Sequence, residues 1–315
     1  MNLISIITPC FNEEQNIDSC VKTVRAIMEN ELPDVDYEHI FSDNSSQDRT
    51  VDRILEHAEL DNRIKLLVNS RNIGPFNNMW SALKHSSGTV VIPLLPADLQ
   101  DPPEIIPRFY AEWQKGNLIV FGVREEREES LFLRTSRKIY YRVIAKLASS
   151  DMPLNAGEFM LVDRRVLDSI LAVDDAYPYI RGLVAKTGVK STKVKYRWKS
   201  RKHGKSKNSY FDLIDQGING LVSTSRKPAR IVSLFGLGTS FVGIVYAVTT
   251  LIRVIISRGD VPIGIPSLLI GVFLIGGIQL LAIGTLGEYL LSIHSQVRRD
   301  PQHFIVKKVN LKEGI

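Results

Sequence analysis

From Ile231 to about Ile256, and again from about Ile265 to Ile293, the chain carries almost nothing but apolar and small residues. No feature limits the fold more, because a run of this length has to be kept from water around its whole circumference. As a helix rising about 1.5 Å per residue the first run would reach roughly 39 Å, more than the ~30 Å hydrocarbon layer of a bilayer. It can therefore cross a membrane with some tilt. Thr239, Ser240, Thr249, Thr250 and Gln279 interrupt the runs, but hydroxyls and small side chains are ordinary where transmembrane helices meet. The competing reading is a pair of buried helices inside a water-soluble core. Because the loop between the runs is short, the expectation is a two-helix transmembrane hairpin over 231–293.

Charge gives that hairpin a direction. Arg226, Lys227 and Arg230 precede the first run, Arg298, Arg299, Lys307 and Lys308 follow the second, and the connecting loop holds only Arg258 and Asp260. Basic residues are retained on the cytoplasmic side, so residues 1–230 and a tail, 294–315, are expected in the cytoplasm of a multi-pass inner-membrane protein. Met1 to Pro9 is strand-like and too short for a signal peptide. Cys10 and Cys20 alone make no disulfide framework. The six histidines show no ligand spacing for a structural zinc.

Ahead of the apolar third, strand-like runs at Ile4–Thr8, His39–Ser42, Ile64–Val68, Val90–Leu95 and Leu118–Val123 alternate with helical patterns. Residues 16–28 set Ile17, Val21, Val24 and Ile27 on one helical face, and residues 46–57 do the same with Val51, Ile54 and Leu55. This alternation predicts an α/β domain with a mostly parallel sheet covered by helices on both faces. Leu131 to Ala148 is basic and amphipathic, suited to a membrane surface or a site entrance. Pro96-Ala97-Asp98-Leu99-Gln100-Asp101-Pro102-Pro103-Glu104 follows the fourth run directly, and its prolines are expected to stop that strand and start the next element. Ligands of open α/β sheets gather beyond the carboxyl ends of the strands, so Asp98 would stand where a hard cation can bridge it to a diphosphate. The plainer alternative is an acidic turn with Asp101 as helix cap and Glu104 in the first turn.

Further motifs fall in order. Pro9-Cys10-Phe11-Asn12-Glu13-Glu14-Gln15-Asn16-Ile17 follows the first strand and Asp43-Asn44-Ser45-Ser46-Gln47-Asp48-Arg49-Thr50 the second. Ser70-Arg71-Asn72-Ile73-Gly74, Asn155-Ala156-Gly157-Glu158-Phe159 and Asp163-Arg164 come later. Together with the acidic run they resemble glycosyltransferase family two over roughly residues 1 to 230, and within it the membrane branch that loads one sugar onto a polyprenyl phosphate. The resemblance implies a GT-A-type, Rossmann-like domain. It also implies inverting transfer from a nucleotide-diphosphate donor, in the first instance a UDP-hexose, to undecaprenyl phosphate, in support of cell-surface polysaccharide. The alternatives are a GDP-mannose or modified-sugar donor on the same scaffold, and a non-catalytic membrane scaffold whose site has decayed.

On the matching positions, Pro9, Asn12, Glu14, Asp43 and Arg71 would bind the donor nucleotide, with Asp43 accepting from a base N–H. Asp98 and Gln100 would ligate Mg²⁺ or Mn²⁺, the substrate completing the shell. Pro96 replaces the first Asp of the family's D-A-D-L-Q motif, so metal affinity without nucleotide is expected to be poor. Arg124, Glu158 and Arg201 would join Asp98 at the reacting centre, Glu158 standing in place of the family's usual Asp.

Lys190 to Lys207 contains nine Lys or Arg residues and no acid, so the rest of the chain sums to 6 − 9 = −3. Within it Arg201 to Lys207 resembles the family's R-x-x-G-x-S-K motif. That assigns Arg201, Ser206 and Lys207, with Arg137, Lys138 and Arg181, to the acceptor phosphate. A solvated basic loop is the plainer reading of the charge. Nucleic acid is not an expected partner, since no aromatic platform or nucleic-acid motif accompanies the segment. Gly271, Gly276 and Gly277 allow close helix packing and hence a homo-oligomer. A lipid monophosphate is already anionic near neutral pH, so its oxygen needs no strong general base.

Overall fold

The computed structural model describes residues 2–125, 156–173, 175, 178–199, separate positions between 229 and 256, 264–298 and 304–311. In chain order the strands are β1 (Leu3–Cys10), β2 (Asp36–Asp43), β3 (Ile64–Asn69), β4 (Val90–Ile92), β5 (Ile119–Arg124), β6 (Ala156–Asp163), β7 (Ser191–Tyr196) and β8 (Ile305–Val309). The helices are α1 (Ile17–Glu31), α2 (Thr50–Leu60), α3 (Pro75–Lys84), α4 (Ile106–Gln114), α5 (Arg164–Leu171), α6 (Ile180–Lys186) and α7 (Ile265–Arg298).

All eight strands join one sheet in the order β7-β5-β6-β4-β1-β2-β3-β8. β1 pairs in parallel with β2 and β4, β2 with β3, and β5 with β7. β6 runs antiparallel between β4 and β5, and β8 antiparallel along β3. Six strands thus share one direction, the mostly parallel arrangement that the alternation predicts. β1 shows why both faces are covered. Ile4 and Ile6 pack with Val24 and Met28 of α1 and Phe109 and Tyr110 of α4, whereas Ile7 packs with Met79, Trp80 and Leu83 of α3 and Val166 and Leu167 of α5. A central strand apolar on both sides needs a helical layer on each.

Several boundaries differ from the sequence reading. β4 ends at Ile92, well before Pro102-Pro103, because Pro93 has no N–H to continue the ladder. α2 begins at Thr50 and not at Ser46, since Asp48 accepts from the Thr50 N–H at 3.0 Å and holds the preceding turn outside the helix. The first part of the basic segment, expected in the acceptor region, is strand β7. Along it Lys193 and Lys195 are exposed while Val194 and Tyr196 are buried, a pattern that keeps an edge strand from pairing with other chains. Residues 305–309, placed in a tail, add β8 to the other edge of the sheet.

The chain divides into two compact units. One gathers Met1–Ala145, Ser150–Gln216 and Arg299–Ile315; the other gathers Lys146–Ser149 and Gly217–Arg298. In the second unit α7 is helical without a break through 34 residues. Over the described residues no helix is long and apolar enough to cross a membrane. Leu131 to Ala148 lies outside the described residues.

Candidate functional site

The direction of the strands collects the residues that the sequence assigns one by one. Pro9 and Asn12 close β1, Asp43 ends β2, Arg71 follows β3, Asp98 and Gln100 follow β4, and Arg124 ends β5. β6 runs the opposite way, so Glu158, near its start, reaches the same edge.

The first two motifs are knitted by hydrogen bonds. Asn12 N–H donates to Ser46 Oγ at 2.8 Å, Gln47 N–H to Asn12 Oδ1 at 2.8 Å, and Glu13 N–H to Thr50 Oγ1 at 2.8 Å. Glu14, expected at the nucleotide, accepts from the Arg49 N–H at 3.1 Å and so holds the start of α2. Asn44 ties in the third loop, donating to Asn72 Oδ1 at 2.8 Å and accepting from the Ile73 N–H at 2.9 Å. Arg71 stays exposed on that loop. Gly74 follows with φ at 81°, left-handed backbone that glycine enters without a Cβ penalty.

Asp43 is fully buried. Its Oδ2 accepts from the Ser46 N–H at 2.9 Å, whereas its Oδ1 is buried without a hydrogen-bond partner. Burial pushes the carboxyl pKa up, against the bonds from Ser46 and Ser45. A buried acceptor left open in this way costs free energy unless a ligand satisfies it.

Backbone strain gathers at the same edge. Asn12, Ser45 and Leu99 have φ of 54°, 65° and 54°. Non-glycine residues take such values at a cost, and they cluster where a site is held in shape. Leu99 lies within a turn in which its N–H donates to Pro96 O at 3.0 Å and the Gln100 N–H to Asp98 Oδ1 at 3.2 Å. That turn fixes the nearly buried Asp98 carboxylate. Among the described residues no group of three or more His, Cys, Asp or Glu side chains is placed to hold a metal ion.

Asp101 is not a helix cap. It is buried and accepts from Arg124 Nε at 3.0 Å, Arg124 Nη2 at 2.9 Å and Tyr196 Oη at 2.6 Å. Burial opposes the charge of Arg124, but the neighbouring carboxylate outweighs it and the guanidinium pKa is raised. Glu158 meets Arg181 of α6, Oε1 to Nε at 3.5 Å, and Arg181 also donates to Tyr179 Oη at 2.6 Å. A residue expected at the reacting centre and one expected at the acceptor are therefore neighbours. Arg137, Lys138, Arg201, Ser206 and Lys207 lie outside the described residues. Sequence reasoning missed Asp101 as a partner of Arg124, along with Tyr196 and Asn44. The alternation Lys193-Val194-Lys195-Tyr196 is a strand pattern that the run of basic residues concealed, and nothing in it told that Tyr196 meets Asp101.

A model of glycosyl transferase family 2 matches residues 5–171. The chain belongs to that family. This glycosyltransferase is 32% identical over 305 residues to the SfII prophage-derived bactoprenol glucosyl transferase of Shigella flexneri, covering 96% of this chain and 97% of that one. It is 31% identical over 307 residues to a prophage bactoprenol glucosyl transferase homolog of Escherichia coli K12, covering 97% and 99%. Among solved structures it is similar to the mannosyltransferase PcManGT from Pyrobaculum calidifontis, at 14% identity and a TM-score of 0.48, covering 95% of this chain and 87% of that one. The family-2 domain here is a GT-A-like α/β fold with a mostly parallel sheet. In the turn after β2, Ser45 keeps a left-handed φ that glycine takes at no cost.

Proposed function

We propose that this glycosyltransferase moves one sugar from a nucleotide-diphosphate donor, a UDP-hexose, to a polyprenyl phosphate, undecaprenyl phosphate, at the cytoplasmic face of a membrane. The observation that carries the donor half is Asp43: a buried carboxylate with one unpartnered oxygen, at the strand edge where Asp98, Arg124 and Glu158 also arrive. A nucleobase N–H would satisfy that oxygen. The acceptor half is supported by relatives named for bactoprenol that align along nearly the whole chain.

Each residue then has a task. Asp43 holds the base, with Pro9 and Asn12 shaping the pocket around it. Arg124 offers guanidinium N–H groups to the diphosphate. Glu158 and Arg181 orient the sugar and the incoming phosphate. An oxygen of the lipid phosphate attacks the anomeric carbon in line, the bond from that carbon to the diphosphate breaks, and its electron pair leaves on the nucleotide. Configuration inverts, and no residue is glycosylated. Asp98 and Gln100 fit Mg²⁺ or Mn²⁺ only in company with the substrate, because Asp98 is one carboxylate and no protein cage of acids surrounds it among the described residues. A divalent ion held there would offset the charge that develops on the diphosphate.

Two observations favour the membrane location. α7 exposes Leu268, Val272, Leu280, Leu281, Leu290 and Leu291, an apolar surface of the kind that marks a membrane or protein contact. Residues before and after the apolar third belong to one folded unit, so a hairpin that enters a bilayer must return to the side from which it left. The test supplies purified protein with undecaprenyl phosphate and either UDP-glucose or GDP-mannose, and reads lipid-linked product by mass. UDP release with a hexosyl-lipid product supports the proposal, GDP release moves the donor to the alternative, and no lipid-linked sugar from any donor sinks it.

A further inference from the structure

We infer that Asp101 is a positioning residue that holds the Arg124 guanidinium to the donor diphosphate, an inference that rests on the donor reading above. An arginine side chain has many rotamers to lose, and a guanidinium that has to meet a phosphate without reorganising must have its plane set beforehand. Asp101 sets it with two roughly parallel bonds to one edge, Nε and Nη2. Tyr196 Oη adds a brace, donating to Asp101 Oδ1 at 2.6 Å and accepting from Arg124 Nε at 3.3 Å. The Trp198 ring lies beneath, its centroid 5.5 Å from Arg124 Cζ.

The joint draws on three elements: the loop after β4, the end of β5 and the end of β7. Lys199 N–H closes it by donating to Gln100 O at 2.9 Å, which fastens the Asp98 turn to the same assembly. The two partners differ in exposure in a way that a purely structural ion pair does not require. The Asp101 side chain is 2% exposed, whereas that of Arg124 is 34% exposed. The carboxylate is sealed from any ligand and can act only through its partner, while the guanidinium keeps an open side. Gly157, one residue before Glu158, lies against that guanidinium, since a Cβ there would come within 3.6 Å of Nη2. The fixed cation is thereby set beside the residue expected at the reacting carbon.

Asp101→Asn keeps the shape but turns an amide N–H toward the arginine. Titrating purified protein with UDP and UMP, and with GDP and GMP, separates the second phosphate from the rest of the nucleotide. The expected result for Asp101→Asn is a loss of about ten-fold in the preference for diphosphate over monophosphate, with monophosphate affinity unchanged. Tyr196→Phe should lose about three-fold in the same preference. In the double variant Asp101→Asn/Arg124→Ala the preference should fall no further than in Arg124→Ala alone. Equal weakening of both nucleotides, or additive losses in the double variant, would show a structural joint and overturn the inference. Wild-type protein that binds neither diphosphate overturns the donor reading and this inference together. Wild-type binding with a full preference retained in Asp101→Asn overturns only this one.

Discussion

Asp43 is buried with one carboxylate oxygen unsatisfied, and burial raises its pKa above the ordinary 3.8. For an acid, a raised folded pKa means that the folded state binds more protons, so this group's contribution to stability falls as pH rises through 3.8 toward the folded value. Asp43→Asn removes that cost. It should melt no lower than wild type yet bind UDP about ten-fold more weakly or worse; calorimetry showing normal UDP affinity would take Asp43 out of the site. His39 titrates differently. Burial lowers its pKa from 6.5 to about 3, and Thr8 Oγ1 lies 2.8 Å from Nε2. As pH falls below 6.5 the unfolded chain takes up the proton first, so stability declines down to about pH 3. At pH 5 this one residue accounts for about 2 kcal/mol. His39→Gln should flatten the stability curve between pH 6.5 and 5, and an unchanged slope would assign the acid sensitivity elsewhere. Asp98→Ala should abolish transfer with an unchanged far-ultraviolet spectrum; near-normal turnover would remove it from the reaction. Asp43 and Asp98 could be picked out in the sequence because an acid directly after an apolar run has one obvious address, the carboxyl edge. Asp101 could not, because its role depends on Arg124 and Tyr196, which lie 23 and 95 positions away.

Strands β1, β2, β3 and β5, each with Ile, Val, Leu or Phe in its middle, were readable from residue type alone. β4 was legible too, although its end was not, and β7 and β8 were hidden by a competing signal. Pro93 shortened β4 inside a run that is otherwise apolar, and lysines masked β7 as a basic loop. β8 is five residues with two lysines, Lys307 and Lys308, that read equally well as a membrane-flanking charge. What fixes such elements is packing against neighbours distant in the chain. Gly122 in β5 makes the point. A Cβ there would lie 2.4 Å from Phe159 O of β6 and 2.9 Å from the Tyr196 ring of β7. Gly122→Ala therefore has to push β5 from one neighbour or the other, at a cost of about 1–3 kcal/mol or more. A lowered denaturation midpoint with an unchanged slope is the expected reading. A midpoint equal to wild type would mean that the strands separate freely, against the burial of both neighbours.

The strand order belongs to the whole chain and lies beyond any local pattern, since β6 reverses between β4 and β5 and β8 arrives from beyond the apolar third. That last pairing has a topological consequence. β3 and β8 hydrogen-bond through Leu66 with Val309 and Val68 with Lys307, although residues 217–298 of the other unit intervene. In the proposed topology both ends of the intervening segment face the cytoplasm, and only the short loop around Asp260 reaches the far side. Thiol labelling tests this on a quiet background, because Cys10 and Cys20 are buried and burial raises both thiol pKa values, that of Cys20 to about 12, leaving little thiolate to react. In right-side-out vesicles an impermeant maleimide should modify Asp260→Cys at once. It should reach Lys22→Cys on α1 and Lys307→Cys on β8 only after detergent. Labelling of Lys22→Cys and Lys307→Cys on opposite sides would break the β3–β8 pairing as well as the hairpin, because one sheet cannot hold strands from both faces of a bilayer. Equal labelling of all three positions before detergent would remove the membrane crossing and leave the sheet intact.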